Sequence, residues 1–272
     1  MQTKDFQQKI RNFYHKHGRD LPWRNTDDPY EIFVSEIMLQ QTQAQRVIPK
    51  YKEWLNQFPD FTSLAEANKQ DVLKLWQGLG YNRRAHFLHQ SAQQIVNKHS
   101  GSLPQEKDQL LELPGVGDYT AGALQAFCFQ KQVVFVETNI RTVFIHHFFA
   151  DEDGVTDKQI KAKAEKTLPD YDICEWYWGL MDYGAHIKNE VGNLNSRSDS
   201  YHKQSTFKGS NRQLRSQLLS YILDNGPTRL KTLENKFSAE TDRQKSVKTN
   251  LNNLADEGLL KTENESIYQP PA

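Results

Sequence analysis

The chain has 272 residues, 37% of them hydrophobic, and its 34 basic and 34 acidic side chains balance to a formal net charge of zero. This length suits one large domain or two modest ones, and the neutral balance excludes a global field, so any nucleic-acid-binding surface must be local. Its two cysteines, Cys128 and Cys174, are too few for a disulfide scaffold or a four-thiolate metal site. The polar start and the lack of a long apolar run predict neither a secretory signal nor a membrane span, so a cytoplasmic protein is expected.

Most of the first 188 residues are predicted to be helical. Apolar residues recur every three to four positions, and Gly or Pro separates the segments. The apolar run Val133–Val136 is the one stretch predicted to be a strand, and it is short. The segments with the clearest helical periodicity are 32–39, 73–79, 119–127 and 143–149.

Two glycines one residue apart, Gly115 and Gly117, lie at a predicted helix–helix junction. Because glycine allows positive φ and close approach, the amides can point outward at the start of the helix that begins near Tyr119. Such N–H groups and the helix dipole favour a DNA phosphate. Val116 and Thr120 complete the predicted DNA-binding set of this hairpin. A plain turn between helices has the same sequence pattern and stays open.

After the helical region, residues 189–211 are rich in Ser, Asn and Gly, which predicts a linker or an ordered loop on another surface. Residues 212–272 then follow the order of three helices and a hairpin, which is typical of a winged helix-turn-helix. Many such modules contact DNA through the third helix, where Arg243, Lys245 and Lys248 lie here. A module that contacts protein or is purely structural has the same pattern.

Three motifs, in order, carry a resemblance to a known family. LPGVGDYTAGA, residues 113–123, resembles the helix-hairpin-helix of the endonuclease III superfamily of DNA glycosylases. Residues 21–59 and GLGYNRRAHFLH, residues 78–89, are similar to adenine DNA glycosylases, which remove adenine mispaired with oxidised guanine. The resemblance covers residues 5–188 and implies a mostly α, two-lobed glycosylase fold, here with a C-terminal winged helix.

This resemblance implies a base excision repair enzyme that acts on double-stranded DNA, and we expect a monomer associated with the nucleoid. The expected domains are a glycosylase core over residues 1–188, a linker or loop over 189–211 and the winged helix over 212–272.

Glu36 has Ile32, Phe33 and Leu39 as neighbours at helical spacing. A carboxyl on such an apolar face should have a raised pKa, which a general acid near neutral pH needs. The resemblance places the catalytic glutamate at this position, where it protonates the leaving base. A surface glutamate is the alternative.

Glu137 follows the apolar run and precedes the predicted helix start at Thr138. A carboxylate there is favoured in the ionised form, and a fixed anion stabilises an oxocarbenium-like sugar. We therefore expect Glu36 protonated and Glu137 ionised, with Asn139 in the catalytic set. The family has an aspartate here, so the extra methylene puts the reach of this anion in doubt, and a simple helix cap is the alternative.

Tyr119 stands where the resemblance places a nucleophilic lysine in the bifunctional enzymes of the superfamily. Without an amine no Schiff base forms, so we predict a monofunctional glycosylase without lyase activity. Simple packing of Tyr119 at the hairpin is compatible with this prediction.

Extruding a base from the duplex costs a few kcal/mol of stacking and pairing, so we expect protein side chains to fill the space that the base leaves in the stack. By resemblance, Gln41 and Tyr81 are the wedge residues, Arg83 and Arg84 lie near phosphates, and Arg24 belongs to the DNA-binding set. An aromatic ring on a Gly-rich turn is a suitable stacking platform, and a partly buried core tyrosine is the alternative.

Three departures from the family concern the cofactor and the substrate. The cysteines that would follow MDYGAHIK, residues 181–188, are absent, so we expect neither an iron–sulfur cluster nor another metal or cofactor. Trp178 replaces the adenine-reading glutamine and is either a base-pocket residue or ordinary core. The winged helix replaces the domain that reads oxidised guanine. Adenine stays the first candidate, with an adenine lesion, a deaminated base and a thymine mismatch open, and a non-catalytic sensor of distorted DNA is the alternative to an enzyme.

Overall fold

The computed structural model describes residues 2–199, 201, 206–237 and 244–271. These residues are mostly helical, which confirms the predicted fold class. The helices are, in chain order, α1 (Thr3–His17), α2 (Pro29–Leu39), α3 (Ala44–Gln57), α4 (Phe61–Glu66), α5 (Lys69–Trp76), α6 (Arg83–His99), α7 (Lys107–Leu111), α8 (Asp118–Phe129), α9 (Thr138–Phe148), α10 (Asp157–Glu165), α11 (Ile173–Val191), α12 (Asn211–Asn225), α13 (Leu230–Phe237) and α14 (Gln244–Asp256). The strands are β1 (Thr228–Arg229), β2 (Lys261–Glu263) and β3 (Ile267–Gln269).

The first of two compact units contains residues 1–36, 105–112 and 116–203. Helices α1, α9 and α11 pack together around Phe6, whose ring lies edge-on to those of Phe144 and Trp176 at centroid distances of 5.5 and 5.7 Å. α11 begins where the Asp172 carboxylate accepts the Cys174 N–H at 2.8 Å, a cap that satisfies one of the unpaired amides of a helix start. This core fixes α9 and α11, which carry residues of the candidate site.

The second unit contains residues 37–104, 113–115 and 204–272. The rings of Trp54 and Trp76 meet edge-on at 5.6 Å in its core, and α12 packs against α5. The winged helix therefore groups with residues 37–104, and the compact units differ from the predicted division into 1–188 and 212–272. The sequence pattern shows where a module begins but does not show which helix its apolar face covers.

The winged-helix module has the three predicted helices and the predicted hairpin. β3 lies between β1 and β2 and pairs antiparallel with both, with Thr228 and Thr262 both opposite Tyr268. β1 lies between the first two of these helices and is a third strand that the predicted order of three helices and a hairpin does not contain. α14 ends before Gly258, whose φ of +71° is the left-handed conformation expected after a helix.

The strand prediction for Val133–Val136 is wrong. Within the described part of the chain these residues belong to no sheet. The Tyr177 hydroxyl donates to the Val133 carbonyl at 2.7 Å and accepts the Phe135 N–H at 3.3 Å. A side chain thus supplies the hydrogen bonds that a neighbouring strand would have supplied.

Residues 193–199 form an ordered loop, the second of the two predicted possibilities for this region. Asn195 is buried and its Nδ2 donates to Thr142 Oγ1 of α9 at 2.8 Å, and Val155 bridges to Ser198. In the described ranges no helix is both long and apolar enough to cross a membrane.

Candidate active site

Glu36 occupies a buried position on α2, and only 4% of the residue is exposed. The start of the helix is stabilised by Asp28, whose carboxylate accepts the Tyr30 N–H at 2.8 Å. Burial raises the pKa of Glu36 to about 7, helped by the charge of Glu137 and opposed by a hydrogen bond from Tyr119. The structure thus holds a carboxyl group that can give up a proton near neutral pH.

Tyr119, the second residue of α8, contacts this acid directly. Its hydroxyl donates a hydrogen bond to Glu36 Oε2 at 2.9 Å. Burial, together with the charges of Glu36 and Glu137, raises the pKa of Tyr119 well above its usual value, so the hydroxyl stays protonated. Tyr119 therefore orients the acid as well as packing at the hairpin.

Glu137 is the N-terminal cap of α9. Its carboxylate accepts the N–H groups of Asn139 at 2.7 Å and Ile140 at 2.8 Å, and Asn139 Nδ2 lies 3.3 Å away. Burial raises the pKa of Glu137, while these amides and the charge of Arg141 oppose the rise. The predicted cap is present, and burial outweighs the favourable effect of the helix start on the pKa of Glu137.

The position of Glu137 depends on two close approaches to glycine. A Cβ on Gly184 of α11 would lie 2.2 Å from the carbonyl oxygen of Asn139, so only glycine lets α11 pack this close to the start of α9. A Cβ on Gly122 of α8 would lie 2.8 Å from the Cβ of Phe135. Both contacts are with backbone or with the stem of a ring, which cannot move aside easily.

Phe135 links the three candidate residues. Its ring stacks on Tyr177 at a centroid distance of 3.8 Å and meets Tyr119 edge-on at 5.7 Å. Because Phe135 lies two residues before Glu137, this aromatic cluster fixes both the hydroxyl that holds Glu36 and the chain that leads to Glu137.

The hairpin 113–117 has the glycine conformation that the sequence predicts. Gly115 has a φ of +81°, and a Cβ there would lie 3.0 Å from the Cβ of Phe87. Gly117 is exposed and extended and directly precedes α8. Val116 and Thr120 are buried, so any contact of these two residues with DNA would be through the main chain.

Asp118, the first residue of α8, would repel a phosphate if its charge stood alone. Lys107 and Lys161 form ion pairs with its two carboxylate oxygens at 2.5 and 2.6 Å. These hydrogen bonds lower the pKa of Asp118 to about 2. Two cations against one anion leave the start of α8 with a positive balance, which suits a DNA backbone.

The profile of the HhH-GPD superfamily, described as base excision DNA repair proteins, matches residues 34–170. The chain belongs to the HhH-GPD superfamily. The adenine DNA glycosylase of Mycolicibacterium smegmatis (strain ATCC 700084 / mc(2)155) is 32% identical over 234 residues, which are 79% of this chain and 80% of that protein. The adenine DNA glycosylase of Buchnera aphidicola subsp. Acyrthosiphon pisum (strain APS) is 36% identical over 187 residues, which are 67% of this chain and 53% of that protein.

The chain thus spans about half the length of the Buchnera relative. Among solved structures, a thermostable thymine-DNA glycosylase matches with a TM-score of 0.63 and 29% identity over 73% of this chain and 96% of that chain. This likeness confirms the helix-hairpin-helix glycosylase fold that the motifs predict.

Arg24 of this HhH-GPD protein does not form the predicted DNA contact, because its guanidinium is buried against Asp182. The two groups form a bidentate pair at 2.8 and 2.9 Å, and Arg19 also binds Asp182 at 2.6 Å. Burial opposes the charge of Asp182, but the guanidinium groups and the Arg19 amide outweigh it and lower its pKa. Arg24 instead acts on Glu36, whose pKa its charge lowers.

Sequence reasoning missed Asp182, which lies within the MDYGAHIK stretch, residues 181–188. The signal was available, because an acid on the apolar face of a long helix must find a cation or stay neutral.

Arg84, predicted to lie near DNA phosphates, is instead buried and bound to main-chain carbonyls of this protein. It is 8% exposed, and its guanidinium donates to the carbonyl oxygens of Ile37 and Met38 at 2.9 Å and of Gln40 at 2.6 Å. It also donates to the Gly80 carbonyl at 3.1 Å. Arg84 therefore ties the end of α2 to the turn before α6.

The proposed wedge residues stand on the two segments that Arg84 ties together. Gln41 and Tyr81 are exposed and have φ angles of +55° and +48°, a region that residues other than glycine rarely occupy. Arg83 is exposed beside them, with its guanidinium 4.8 Å from the centroid of the Phe87 ring. Their exposure agrees with the wedge prediction.

Trp178 packs within the first unit. Its ring stacks on Phe127 at 5.9 Å, and the Arg24 guanidinium lies 5.5 Å from its centroid. These contacts favour the ordinary-core interpretation over a base pocket.

Of the three basic residues predicted on the third helix of the winged helix, Lys248 is described in full. It is exposed and pairs with Glu265 at 2.9 Å. Arg243 lies outside the described residues, as does the side chain of Lys245.

The donors in this chain do not fit the four-thiolate cluster that the resemblance suggests. Burial raises the pKa of Cys128 well above its usual value and that of Cys174 to about 12, so both thiols are protonated. Cys174 Sγ accepts a hydrogen bond from Gln130 Nε2 at 3.1 Å. Across the described residues, no group of three or more His, Cys, Asp or Glu side chains is arranged to hold a metal ion.

Proposed function

We propose that this chain is a monofunctional DNA glycosylase, which hydrolyses the N-glycosidic bond of a base flipped out of double-stranded DNA. The observation that carries this proposal is Glu36, whose pKa is about 7 and which accepts a hydrogen bond from Tyr119 at 2.9 Å within electrostatic range of Glu137. The relatives named adenine DNA glycosylase favour an enzyme over a non-catalytic sensor of distorted DNA.

In the proposed reaction, protonated Glu36 gives its proton to the extruded base. The bond between C1′ and the base nitrogen breaks, its electron pair leaves with the base, and positive charge develops on the sugar. The Glu137 carboxylate stabilises that charge, because an anion held in place needs no rearrangement in the transition state. Water then adds to C1′ and returns a proton to the Glu36 carboxylate, which restores the acid.

The product is expected to be an intact abasic strand. Strand cleavage by elimination needs an amine that forms a Schiff base with the sugar. Tyr119 offers a neutral hydroxyl at the position where the resemblance places that amine.

Adenine is the first candidate for the base excised, since two relatives are named for it. A thymine mismatch is the second, because a similar solved structure is named a thymine-DNA glycosylase. We further propose that the enzyme works as a monomer in the cytoplasm without an iron–sulfur cluster or another cofactor.

The test is a panel of duplexes that each carry one mismatch or lesion, incubated with the purified protein and treated with alkali to cut at abasic sites. We expect cleavage of at least one duplex only after alkali, a loss of that activity in Glu36→Gln, and a fall in the single-turnover rate above pH 7, where Glu36 loses its proton. Binding without cleavage of any duplex overturns the proposal, and activity that appears only in Glu137→Asp identifies a non-catalytic scaffold.

A further inference from the structure

The second unit contains a groove of about 910 Å³ that brings the winged helix to the proposed wedge. Gln41 and Tyr81 line it on one side, and Phe207 and Arg212 line it on the other. Tyr81 is 38% exposed and Phe207 is 55% exposed, so aromatic surface faces solvent here. The volume is in the range of small-molecule sites and is large enough for a nucleotide.

Arg212, at the start of α12, contacts the wedge tyrosine directly. Its guanidinium donates a hydrogen bond to the Tyr81 hydroxyl at 2.7 Å, and its central carbon lies 5.8 Å from the centroid of the ring. Tyr81 and Gln41 both have positive φ, and residues held in this unfavourable conformation cluster at ligand sites. The winged helix therefore adds a cation at the point where the wedge would enter a duplex.

The charge in the groove favours an anionic ligand. Three of the arginines are engaged with the protein itself, because Arg84 and Arg46 bind main-chain carbonyls and Arg215 pairs with Glu257 at 2.7 Å. The charged residues among the described lining are five arginines and one glutamate: Arg46, Arg83, Arg84, Arg212, Arg215 and Glu257. Such a surplus of positive charge beside aromatic rings is the chemistry that holds a nucleotide by its phosphate and its base.

We propose that this groove binds the base left unpaired when its partner is extruded, and that Arg212 recognises that base as a guanine. The planar guanidinium fork matches the adjacent O6 and N7 acceptors of guanine, which cytosine and adenine do not reproduce. Oxidation of guanine at C8 places a proton on N7 and removes one of these two acceptors. Tyr81 fixes the fork on one side, which leaves Arg212 oriented before DNA binds. This inference rests on the proposed function, because a base is left unpaired only where a glycosylase has flipped its partner.

The proposal moves the recognition role within the winged helix. The third helix, α14, is the one expected to contact DNA, but its Lys248 pairs with Glu265 and does not line the groove among the described residues. α12 instead presents Arg212 to the wedge.

The experiment measures binding rather than cleavage, on the full chain. Duplexes carry a tetrahydrofuran abasic analogue opposite guanine, oxidised guanine, cytosine, adenine or thymine, and the dissociation constant of each is measured. We expect the natural protein to bind the guanine duplex about tenfold more tightly than the cytosine duplex, the discrimination typical of one side-chain fork on one base. Arg212→Ala should abolish this preference.

The matched control is Arg229→Ala, which removes the same charge from an exposed position on β1, outside the groove. It should weaken all five duplexes equally, by about twofold, and keep the preference. If Arg212→Ala keeps the preference, or if Arg229→Ala loses it as well, the assignment of Arg212 is wrong.

A second pair of variants covers the case in which Arg212→Ala does not fold. Tyr81→Phe keeps the ring and removes the hydroxyl that accepts from Arg212, and Arg212→Lys keeps the charge and removes the fork; both should reduce the preference. Full preference in both variants overturns the inference. An abasic analogue needs no cleavage, so a failure of the proposed enzyme leaves this result interpretable, whereas cleavage by a natural protein with no opposite-base preference overturns this inference alone.

Discussion

In the first unit the acids Glu36 and Glu137 are held where burial raises the pKa of each, whereas in the second unit Arg84 is buried as a cation and bound to main-chain carbonyls. Glu36, whose pKa is about 7, can change charge near neutral pH. The guanidinium of Arg84 cannot, since burial lowers its pKa only to about 10.

The two kinds of buried charged group therefore have different roles. A buried acid with a shifted pKa can transfer a proton, so its chemistry depends on the electrostatic environment. A buried arginine whose two terminal nitrogens donate to main-chain carbonyls holds backbone segments in place, so its contribution is geometric. Substitutions at the acids of the first unit should therefore change rates and pH profiles. Substitutions at Arg84 in the second unit should change stability and the position of the wedge residues.

The largest effect is expected for Glu36→Gln, which removes the proton donor and keeps the shape. We expect the single-turnover rate to fall by about 10² to 10⁴, the usual contribution of a general acid. Binding to an abasic-analogue duplex should be unchanged, because Glu36 is buried and contributes through protonation. Glu31→Gln, in the first turn of the same helix, is the control and should keep the rate. Equal losses in both variants would show that α2 is merely sensitive to substitution.

Arg84→Met tests the anchoring role of the buried arginine in the second unit. The change leaves the carbonyls of Ile37, Met38 and Gln40 without their donor, and we expect the free energy of unfolding to fall by about 3 kcal/mol. Thermal or urea unfolding measures it. The adjacent and exposed Arg83 provides the matched control, and Arg83→Met should shift the stability by less than about 0.5 kcal/mol. Similar values for the two variants would contradict the anchoring role of Arg84.

Gly184→Ala tests whether geometry also matters in the first region. The new methyl group would lie 2.2 Å from the Asn139 carbonyl oxygen, so α9 must shift and carry Glu137 with it. We expect a loss of about 2 kcal/mol in stability together with a lower cleavage rate. Lys188→Ala, at an exposed position on the same helix, should change neither. An unchanged rate in a destabilised Gly184→Ala protein would mean that the position of Glu137 is not critical.

The sequence reveals the surroundings of Glu36 but not those of the arginines, for a physical reason. The apolar helical face of Glu36 is visible from periodicity, and the start of its helix is visible from the residue type of Asp28. Arg84 and Arg24 look in sequence like any exposed arginine, because the acceptors of Arg84 are main-chain carbonyls and Asp182 lies 158 residues from Arg24. Neither arrangement leaves a local pattern.

Burial explains the other errors. The start of α9 is visible in the sequence and correctly places Glu137 as a cap, but the desolvation that raises its pKa depends on neighbours far along the chain. The run Val133–Val136 has the composition of a strand, yet its main chain is hydrogen-bonded to the Tyr177 hydroxyl. A strand pattern in the sequence does not indicate such a contact. The groove beside Tyr81 is also invisible in the sequence, because no local pattern indicates that Arg212 contacts Tyr81.

The smallest expected effect is the most direct test of how the first region sets its proton. The Tyr119 hydroxyl donates to Glu36 and lowers its pKa, so Tyr119→Phe removes a stabilisation of the carboxylate and raises the pKa of Glu36 further above 7. The acid then stays protonated to higher pH, and the alkaline limb of the pH–rate profile should move upward by up to about one unit, the size of one hydrogen bond. Tyr183→Phe removes a hydroxyl that lies 3.0 Å from His147 and should leave the limb in place. A shift to lower pH in Tyr119→Phe would mean that the hydroxyl stabilises the protonated acid, and Glu36 would then owe its poise to Tyr119 rather than to burial.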